Sequence, residues 1–348
     1  MSRPINVGIV GYGMATKVFH APLICADPQM RLTHILKRSG DEPRAAYPDV
    51  HIARTLDDLL KESALELVVV ATPTATHFEI AAAALAASKH VVVDKPFTTT
   101  SAEAAELIAL SQKHQRVLSV FQNRRWDGDF LTVRRILDQK LLGRLVDYES
   151  HFDRYRPVVN PNAWREQAGP GSGWLYDLGS HLIDQALVLF GWPQRIYADV
   201  RLQRDHAQAN DNFELILDYP ALKVTLKTSM LVREPSPRFT LHGTQGSYVK
   251  YGLDPQEEAL KQGLKPVGPD WGAEPEENWG ILNTDVEGTA TRKKFATLAG
   301  CYPAYYENVC RAIRGETSLL VKPEQGRDTI RVIELAVQSN AEKCAIAG

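Results

Sequence analysis

Two stretches of this chain place residue types at spacings that chemistry can use. The first is Gly11-Tyr12-Gly13, which follows the apolar run Ile5-Asn6-Val7-Gly8-Ile9-Val10 and precedes a helix expected from near Thr16. In a strand–turn–helix unit the first glycine makes the tight turn. The second lets a pyrophosphate approach the backbone at the helix N-terminus. Met14, Ala15 and Thr16 belong to the same cradle, where the helix dipole and free N–H groups favour negative charge. The sixth position of the glycine fingerprint is Thr16. Either helix and strand sit slightly further apart there, or the threonine hydroxyl reaches a phosphate. The second stretch is Asp177-x-x-x-His181, led in by Gly171-Ser172-Gly173. On a helix the two residues share a face, with Asp184 nearby, while Leu178, Leu182, Ala186 and Leu189 point to a packing face. Histidine is the natural proton acceptor for an alcohol near neutral pH, and a carboxylate one turn away can orient it or bind a substrate hydroxyl. Taken alone, the pair is better read as an ordinary helix-surface pair.

The elements that must position these groups follow from hydrophobic pattern. Strand-like runs lie at 5–10, 31–36, 66–71, 90–94 and 117–121, several of them continuous, apolar and β-branched, as in strands buried on both faces of a parallel sheet. Helical stretches at 55–63, 77–88 and 101–115 lie between them, the last with Ser101 as N-cap. This alternation predicts a doubly wound parallel sheet, the Rossmann arrangement, over residues 1–122. Beyond residue 122 the rhythm changes. A helix at 127–139, a strand at 144–153 and a helix at 175–190 precede strand-like runs at 195–203, 212–218, 222–232 and 238–243. A long loop is expected over 252–280, and helices at 303–314 and 323–343 close the chain. Residues 123–348 thus read as an α+β domain on a large, open, mainly antiparallel sheet, and the fold class is α/β.

The strand ends extend the ligand site, because open α/β sheets bind ligands outside the carboxyl ends of their strands. The second strand ends in Leu36-Lys37-Arg38-Ser39, two cations and a hydroxyl with no acid. These groups suit the 2′-phosphate of NADP and leave an NAD ribose without its usual acceptor, so NADP is favoured over NAD. The plainer alternative is a solvated basic strand end. Ala71-Thr72-Pro73 and Asp94-Lys95-Pro96 end two further strands, and Lys95 is expected to point into the cleft. His20, His77 and His151 carry weaker signals, with His77 expected in the loop or first turn after Pro73, near the cofactor.

Composition excludes several classes. A net charge of −2 on 348 residues, 24% of them charged, gives no basic excess for nucleic acid. No apolar run approaches the roughly 18 residues of a membrane span. Cys25, Cys301, Cys310 and Cys344 form no CxxC pair and read as buried thiols of a cytoplasmic protein, with no metal site.

Gly11-Tyr12-Gly13, Ala71-Thr72-Pro73 with His77, Asp94-Lys95-Pro96 and Asp177-x-x-x-His181, in this order and spacing, resemble the Gfo/Idh/MocA family over essentially the whole chain. That family includes glucose–fructose oxidoreductase and inositol dehydrogenases. Asn123-Arg124-Arg125-Trp126-Asp127, Arg154-Tyr155-Arg156-Pro157, Trp164-Arg165-Glu166, Tyr176-Asp177-Leu178-Gly179 and Tyr248-Val249-Lys250-Tyr251-Gly252 are similar to its NADP-type scyllo-inositol dehydrogenase branch and that branch's bacterial relatives. The resemblance implies a dehydrogenase that moves hydride between NAD(P) and a secondary alcohol or ketone of a sugar or cyclitol, with Lys95, Asp177 and His181 as the catalytic trio. Asp94 stands where the family often has Glu. Asn123, Trp164 and Arg165 become candidates for the cofactor, and Arg124, Tyr155 and Arg156 for the substrate. Each has a plain alternative, Trp164 as core and the arginines as structural ion pairs. The same fold also serves NAD-dependent glycoside hydrolases, which show no net redox change, and non-catalytic cofactor-binding regulators. An uncovered sheet face would favour a homodimer or homotetramer.

Overall fold

The computed structural model of the chain describes residues 3–286 and 289–348. It divides into two compact units. The first contains the chain up to Asn123 together with Gln256–Trp271 and Cys301–Asp328; the second contains Arg124–Pro255, Gly272–Gly300 and Thr329–Gly348.

In the first unit, β1 (Ile5–Val10), β2 (Met30–Leu36), β3 (His51–Ala53), β4 (Leu67–Val70), β5 (His90–Val93) and β6 (Leu118–Val120) form one sheet in the order β3-β2-β1-β4-β5-β6. Every pairing is parallel. This is the doubly wound order whose reversal point lies between β1 and β4. Leu67, Val68, Val69 and Val70 have no exposed surface. Each such side chain contributes about 1.5–3 kcal/mol on burial, which makes these central strands a firm base for the loops at their carboxyl ends. The connecting helices are α1 (Ala21–Ala26), α2 (Pro43–Ala46), α3 (Leu56–Leu60), α4 (His77–Ala86) and α5 (Ser101–Lys113). The N-cap of α5 is Thr100, not Ser101. Its hydroxyl accepts from the Glu103 N–H and the Glu103 carboxylate accepts from the Thr100 N–H, a full capping box. The short edge strand β3 was not expected, three residues being too few to show a period.

The second unit is built on nine strands: β7 (Leu145–His151), β8 (Arg195–Arg201), β9 (Asn212–Tyr219), β10 (Leu222–Ser229), β11 (Phe239–Gly243), β12 (Gly246–Lys250), β13 (Gly280–Val286), β14 (Thr289–Phe295) and β15 (Ile346–Ala347). Their order is β14-β13-β12-β11-β7-β10-β9-β8-β15, antiparallel except where β7 meets β10. One face is apolar: Phe213, Leu215, Leu217 and Tyr219 of β9 are buried. Their alternates Glu214, Ile216 and Asp218 lie half-exposed on the other face. Helix α6 (Gly128–Asp138) precedes the sheet, and α7 (Ser180–Phe190) continues a π-helical turn, Leu175–Gly179.

The strands β12, β13 and β14 correct the sequence reading, which left their residues unassigned or in loop. β14 reads Thr-Ala-Thr-Arg-Lys-Lys-Phe and is exposed along most of its length, so it carries no apolar alternation to detect. The expected loop at 252–280 contains helix α8 (Gln256–Lys261) and a 3₁₀ turn, Glu276–Asn278. A single cut after residue 122 also leaves out what packs on the first unit. Gln256 Oε1 accepts from Trp271 Nε1 and the Tyr302 N–H. Helix α9 (Pro303–Ile313) follows, and Tyr302, Tyr305 and Tyr306 are fully buried. The rings of Tyr305 and Tyr306 lie 4.9 and 5.8 Å from that of Phe121, just past β6. The last long helix, α10 (Pro323–Glu342), follows.

Candidate active site

The first unit gathers the glycine turn and three other strand ends along one sheet edge. Gly11 has φ +99°, and a Cβ there would lie 2.6 Å from the Ala71 carbonyl oxygen. The turn therefore needs glycine twice over, for its left-handed backbone and for the close approach of β1 to β4. At Gly13 an added Cβ would meet nothing within 4 Å, so the backbone lies open there. The chain is helical from Met14 to Ala26, with Thr16–His20 in π spacing. Its leading N–H groups have no acceptor within the helix. An open glycine ahead of such a helix fits a dinucleotide pyrophosphate. Thr16, at the sixth position of the fingerprint, bonds within the turn itself. It is fully buried and its hydroxyl donates 2.9 Å to the Gly11 carbonyl, closing the turn from within.

The ends of β4 and β5 are tied together by His77. Its ring is buried at the start of α4, with Nε2 2.8 Å from the Thr72 carbonyl and Nδ1 3.0 Å from that of Pro96. Burial pushes its pKa down, against the opposing pull of Asp94 and these carbonyls. His77 thus acts on the frame of the site. Lys95, half-buried, stands between these anchors at the end of β5. Asp94 Oδ1 accepts from the Lys95 backbone N–H at 2.9 Å. His20, fully buried, lies behind it, with Nε2 3.6 Å from Asp94 Oδ1 and Nδ1 2.7 Å from the Tyr306 hydroxyl. Burial alone would raise the Asp94 pKa; His20, Lys95 and His77 outweigh it and hold the carboxyl below its usual range. Asn123 is buried at the start of a 3₁₀ turn after β6.

At the end of β2 the expectation of a purely basic surface needs correction. Acids do stand there, five residues further along the chain: Lys37 Nζ lies 2.6 Å from a carboxylate oxygen of Glu42. Arg38 and Ser39 are both exposed beside the pair.

In the second unit, Gly173 (φ +86°) lets the Asn210 side chain pack where a Cβ would collide with it. Asn210 Oδ1 then accepts from the Leu175 N–H at 2.8 Å and fixes the start of the π turn. π turns are rare and recur at functional sites. Asp177 lies in this turn and His181 one residue into α7. The expected uninterrupted α-helix over 175–190 is therefore replaced by π followed by α. A narrow apolar stripe was also expected, yet every residue from Ser180 to Ala186 is buried and Leu189 is only half-buried. The Asp177 carboxylate accepts from Arg165 Nη1 at 3.2 Å. His181 is 5% exposed, its ring centroid 6.2 Å from that of Phe152. Three guanidinium groups surround the Phe152 ring, those of Arg238, Arg124 and Arg154 at 4.3, 4.8 and 5.3 Å. Such cation–π contacts hold Phe152 as a fixed wall beside His181. Asp184, one turn beyond His181, receives two bonds from Arg125, at 2.8 and 2.6 Å.

The remaining expected residues are spread more widely. Trp164 and Arg165 form a half-buried 3₁₀ turn with the guanidinium 5.9 Å from the indole ring. Arg124 is buried, 3.4 Å from Asp127. Tyr155 is 48% exposed and sits under Arg233, and Arg156 is exposed 5.7 Å from the Trp174 ring. Cysteine burial is corrected too. Cys310 alone is buried, whereas Cys25, Cys301 and Cys344 are exposed. Cys25 lies near the C-terminal end of the short helix α1, and the other two lie outside helices altogether. Among the described residues no His/Cys/Asp/Glu group could hold a metal ion, and no helix is long and apolar enough to cross a membrane.

Residues 5–122 match the model described as "Oxidoreductase family, NAD-binding Rossmann fold", and residues 134–347 match "Oxidoreductase family, C-terminal alpha/beta domain". The chain belongs to the Gfo/Idh/MocA oxidoreductase family. Among Gfo/Idh/MocA relatives, the oxidoreductase YdgJ of Escherichia coli is 45% identical over 99% of both chains. The scyllo-inositol 2-dehydrogenase (NADP(+)) IolW of Bacillus subtilis is 39% identical over 98% of this chain and 95% of its own. The solved structure of the oxidoreductase YvaA from Bacillus subtilis superposes with a TM-score of 0.96 at 38% identity, covering 99% of each chain. Within this Gfo/Idh/MocA protein, sequence reasoning ranked His20 low and missed its partner Tyr306, beside Asp94. They lie 286 positions apart, beyond the reach of any local pattern.

Proposed function

We propose that the protein is an NADP-preferring dehydrogenase that exchanges hydride with a secondary alcohol or ketone of a sugar or cyclitol, and that Lys95, Asp177 and His181 carry the reaction. The observation that carries this reading is Lys95 at the carboxyl end of β5, on the same sheet edge as the glycine turn and two strands away from it. The Gfo/Idh/MocA match supports the cofactor class, and IolW, named for scyllo-inositol and NADP(+), supports the substrate class.

The glycine turn and the N–H groups of Met14, Ala15 and Thr16 would hold the pyrophosphate, and Lys37, Arg38 and Ser39 the adenosine ribose. Thr72, Pro73 and Asn123 would border the nicotinamide half. Bound nicotinamide supplies the hydride acceptor or donor. His181 takes the hydroxyl proton, its ring steadied against Phe152. Lys95 donates to the reacting oxygen and stabilises the charge that develops on it. Asp177, held by Arg165, accepts from a neighbouring substrate hydroxyl, with Arg124, Tyr155, Arg156 and Trp164 as further candidates for the pocket wall. Absorbance at 340 nm with a panel of polyols, sugars and their ketones tests the reading. A stoichiometric change, larger with NADP than with NAD, is the expected result. Turnover with no net absorbance change indicates a hydrolase that recycles its cofactor and overturns the proposal, as does cofactor binding with no turnover on any of the panel.

We further propose that a second copy of the chain covers the open face of the nine-stranded sheet. Glu149, His151 and Asp153 cluster there with Lys227 and Glu214. Burial alone would lower the His151 pKa, but bonds to Asp153 and Glu149 outweigh it and raise it. Alternating charges of this kind are self-complementary across a two-fold axis. Light scattering of the purified protein should give a dimeric or tetrameric mass, and a monomeric mass at micromolar concentration removes this proposal.

A further inference from the structure

Lys37 at the end of β2 already has an anionic partner. Its Nζ donates to the Ser39 carbonyl and to the Glu42 carboxylate, each at 2.6 Å. Glu42 reaches it by folding back over Gly40, which has φ +76° and whose missing Cβ would collide with the Glu42 carboxylate. The loop beneath is braced by Arg54, which donates to the carbonyls of Lys37 at 3.0 Å and Gly40 at 2.8 Å and pairs with Asp41 at 2.5 Å. The position is next to the coenzyme turn, since the Gly11 N–H donates 3.1 Å to the carbonyl of Leu36, the residue before Lys37. Electrostatics agree with that placement. The bond from Lys37 lowers the Glu42 pKa first, with Lys17 adding to it, and Glu42 adds to the effect of burial in raising Tyr12.

We propose that Glu42 is a built-in anion on the seat of the 2′-phosphate, and that it sets the choice between phosphorylated and unphosphorylated adenosine ribose. The inference rests on the reading of this edge as the coenzyme site. A 2′-phosphate seeks Lys37 and Arg38, so it must displace the carboxylate or sit beside it against like-charge repulsion. A 2′-hydroxyl meets no such penalty and can donate to the carboxylate. Glu42 therefore narrows the preference for the phosphorylated coenzyme that the two cations would otherwise give. Gly40 gives it room to do so, because a Cβ there would push the Glu42 carboxylate from its present place.

Glu42→Gln keeps the side-chain length and removes the charge, on a surface where folding is not at stake. The experiment is calorimetric binding of adenosine 2′,5′-bisphosphate and adenosine 5′-monophosphate to the whole protein, wild type and Glu42→Gln. The variant should bind the bisphosphate about three- to tenfold more tightly at low ionic strength, as expected for a screened surface charge, with the monophosphate bound no more tightly than before. The gain should shrink in high salt and vanish in a Lys37→Gln background. Bisphosphate binding that is unchanged or weaker in Glu42→Gln overturns the role of Glu42. So does an equal gain for both ligands. Preference of the wild type for the monophosphate is a separate result. It overturns the NADP preference proposed above, while the response to Glu42→Gln still decides what Glu42 does.

Discussion

Lys95→Ala and His181→Ala are each expected to lower kcat by about two to four orders of magnitude, the usual range for a lost general base or oxyanion donor. The affinity for NADPH, read from its fluorescence on binding, should change far less than kcat. Lys95 is one of many groups on its sheet edge, and His181 lies in the other unit, against Phe152. Asp177→Asn should act differently. Its carboxylate already shares Arg165 Nη1 at 3.2 Å, so the amide should raise KM more than it lowers kcat. A His181→Ala enzyme that turns over like wild type sinks the assignment of the base. An unaltered kcat in Lys95→Ala would move the oxyanion donor elsewhere.

The largest expected loss of stability comes from Arg125→Ala. Asp184 is 2% exposed and its carboxylate receives both bonds from Arg125. Removing the guanidinium strands a buried charge, which costs about 3–5 kcal/mol. At roughly 2–4 °C per kcal/mol for a domain of this size, the melting temperature should fall by about 6–20 °C. The double replacement Arg125→Met with Asp184→Leu should recover most of that loss, since removing both charges leaves neither uncompensated. Thermal unfolding of the three proteins checks the pattern. A double variant less stable than Arg125→Ala shows that the pair does more than compensate charge. Asp184 is three positions beyond His181 along α7, so a loss of activity in Arg125→Ala measured well below its melting temperature ties this pair to the orientation of the base.

The two units differ in how much of them can be read from sequence, and the reason is physical. β4 and β5 are unbroken apolar runs because both faces of their sheet are covered, and such runs announce themselves. β9 alternates buried and half-exposed residues perfectly and is equally plain. β14 has no buried residue along its length, and α8 packs through Gln256, whose amide serves Trp271 and Tyr302, so neither carries a hydrophobic period. The site shows the same division. Gly11 is legible because backbone geometry demands glycine. Lys37 is legible only in part, because its partner Glu42 returns through a turn over Gly40 that no period marks. Thr16 reads as a defect in a motif but is a donor to the very turn it follows. Arg165 and Asp177 are brought together by a loop with Gly171 and Gly173 at positive φ, a fact of backbone conformation that residue spacing does not encode.

The π turns at Thr16–His20 and Leu175–Gly179 have a consequence for how this protein tolerates insertion and deletion. Each accommodates one residue more than an α-helical turn would, so each works as a phase shifter within its helix. An α-helix advances about 100° per residue, so deleting Leu178 or Gly179 would turn Asp177 relative to His181 by roughly that angle while leaving both side chains in the chain. The relative placement of Asp177 and His181 therefore depends on a count of residues as well as on their kinds.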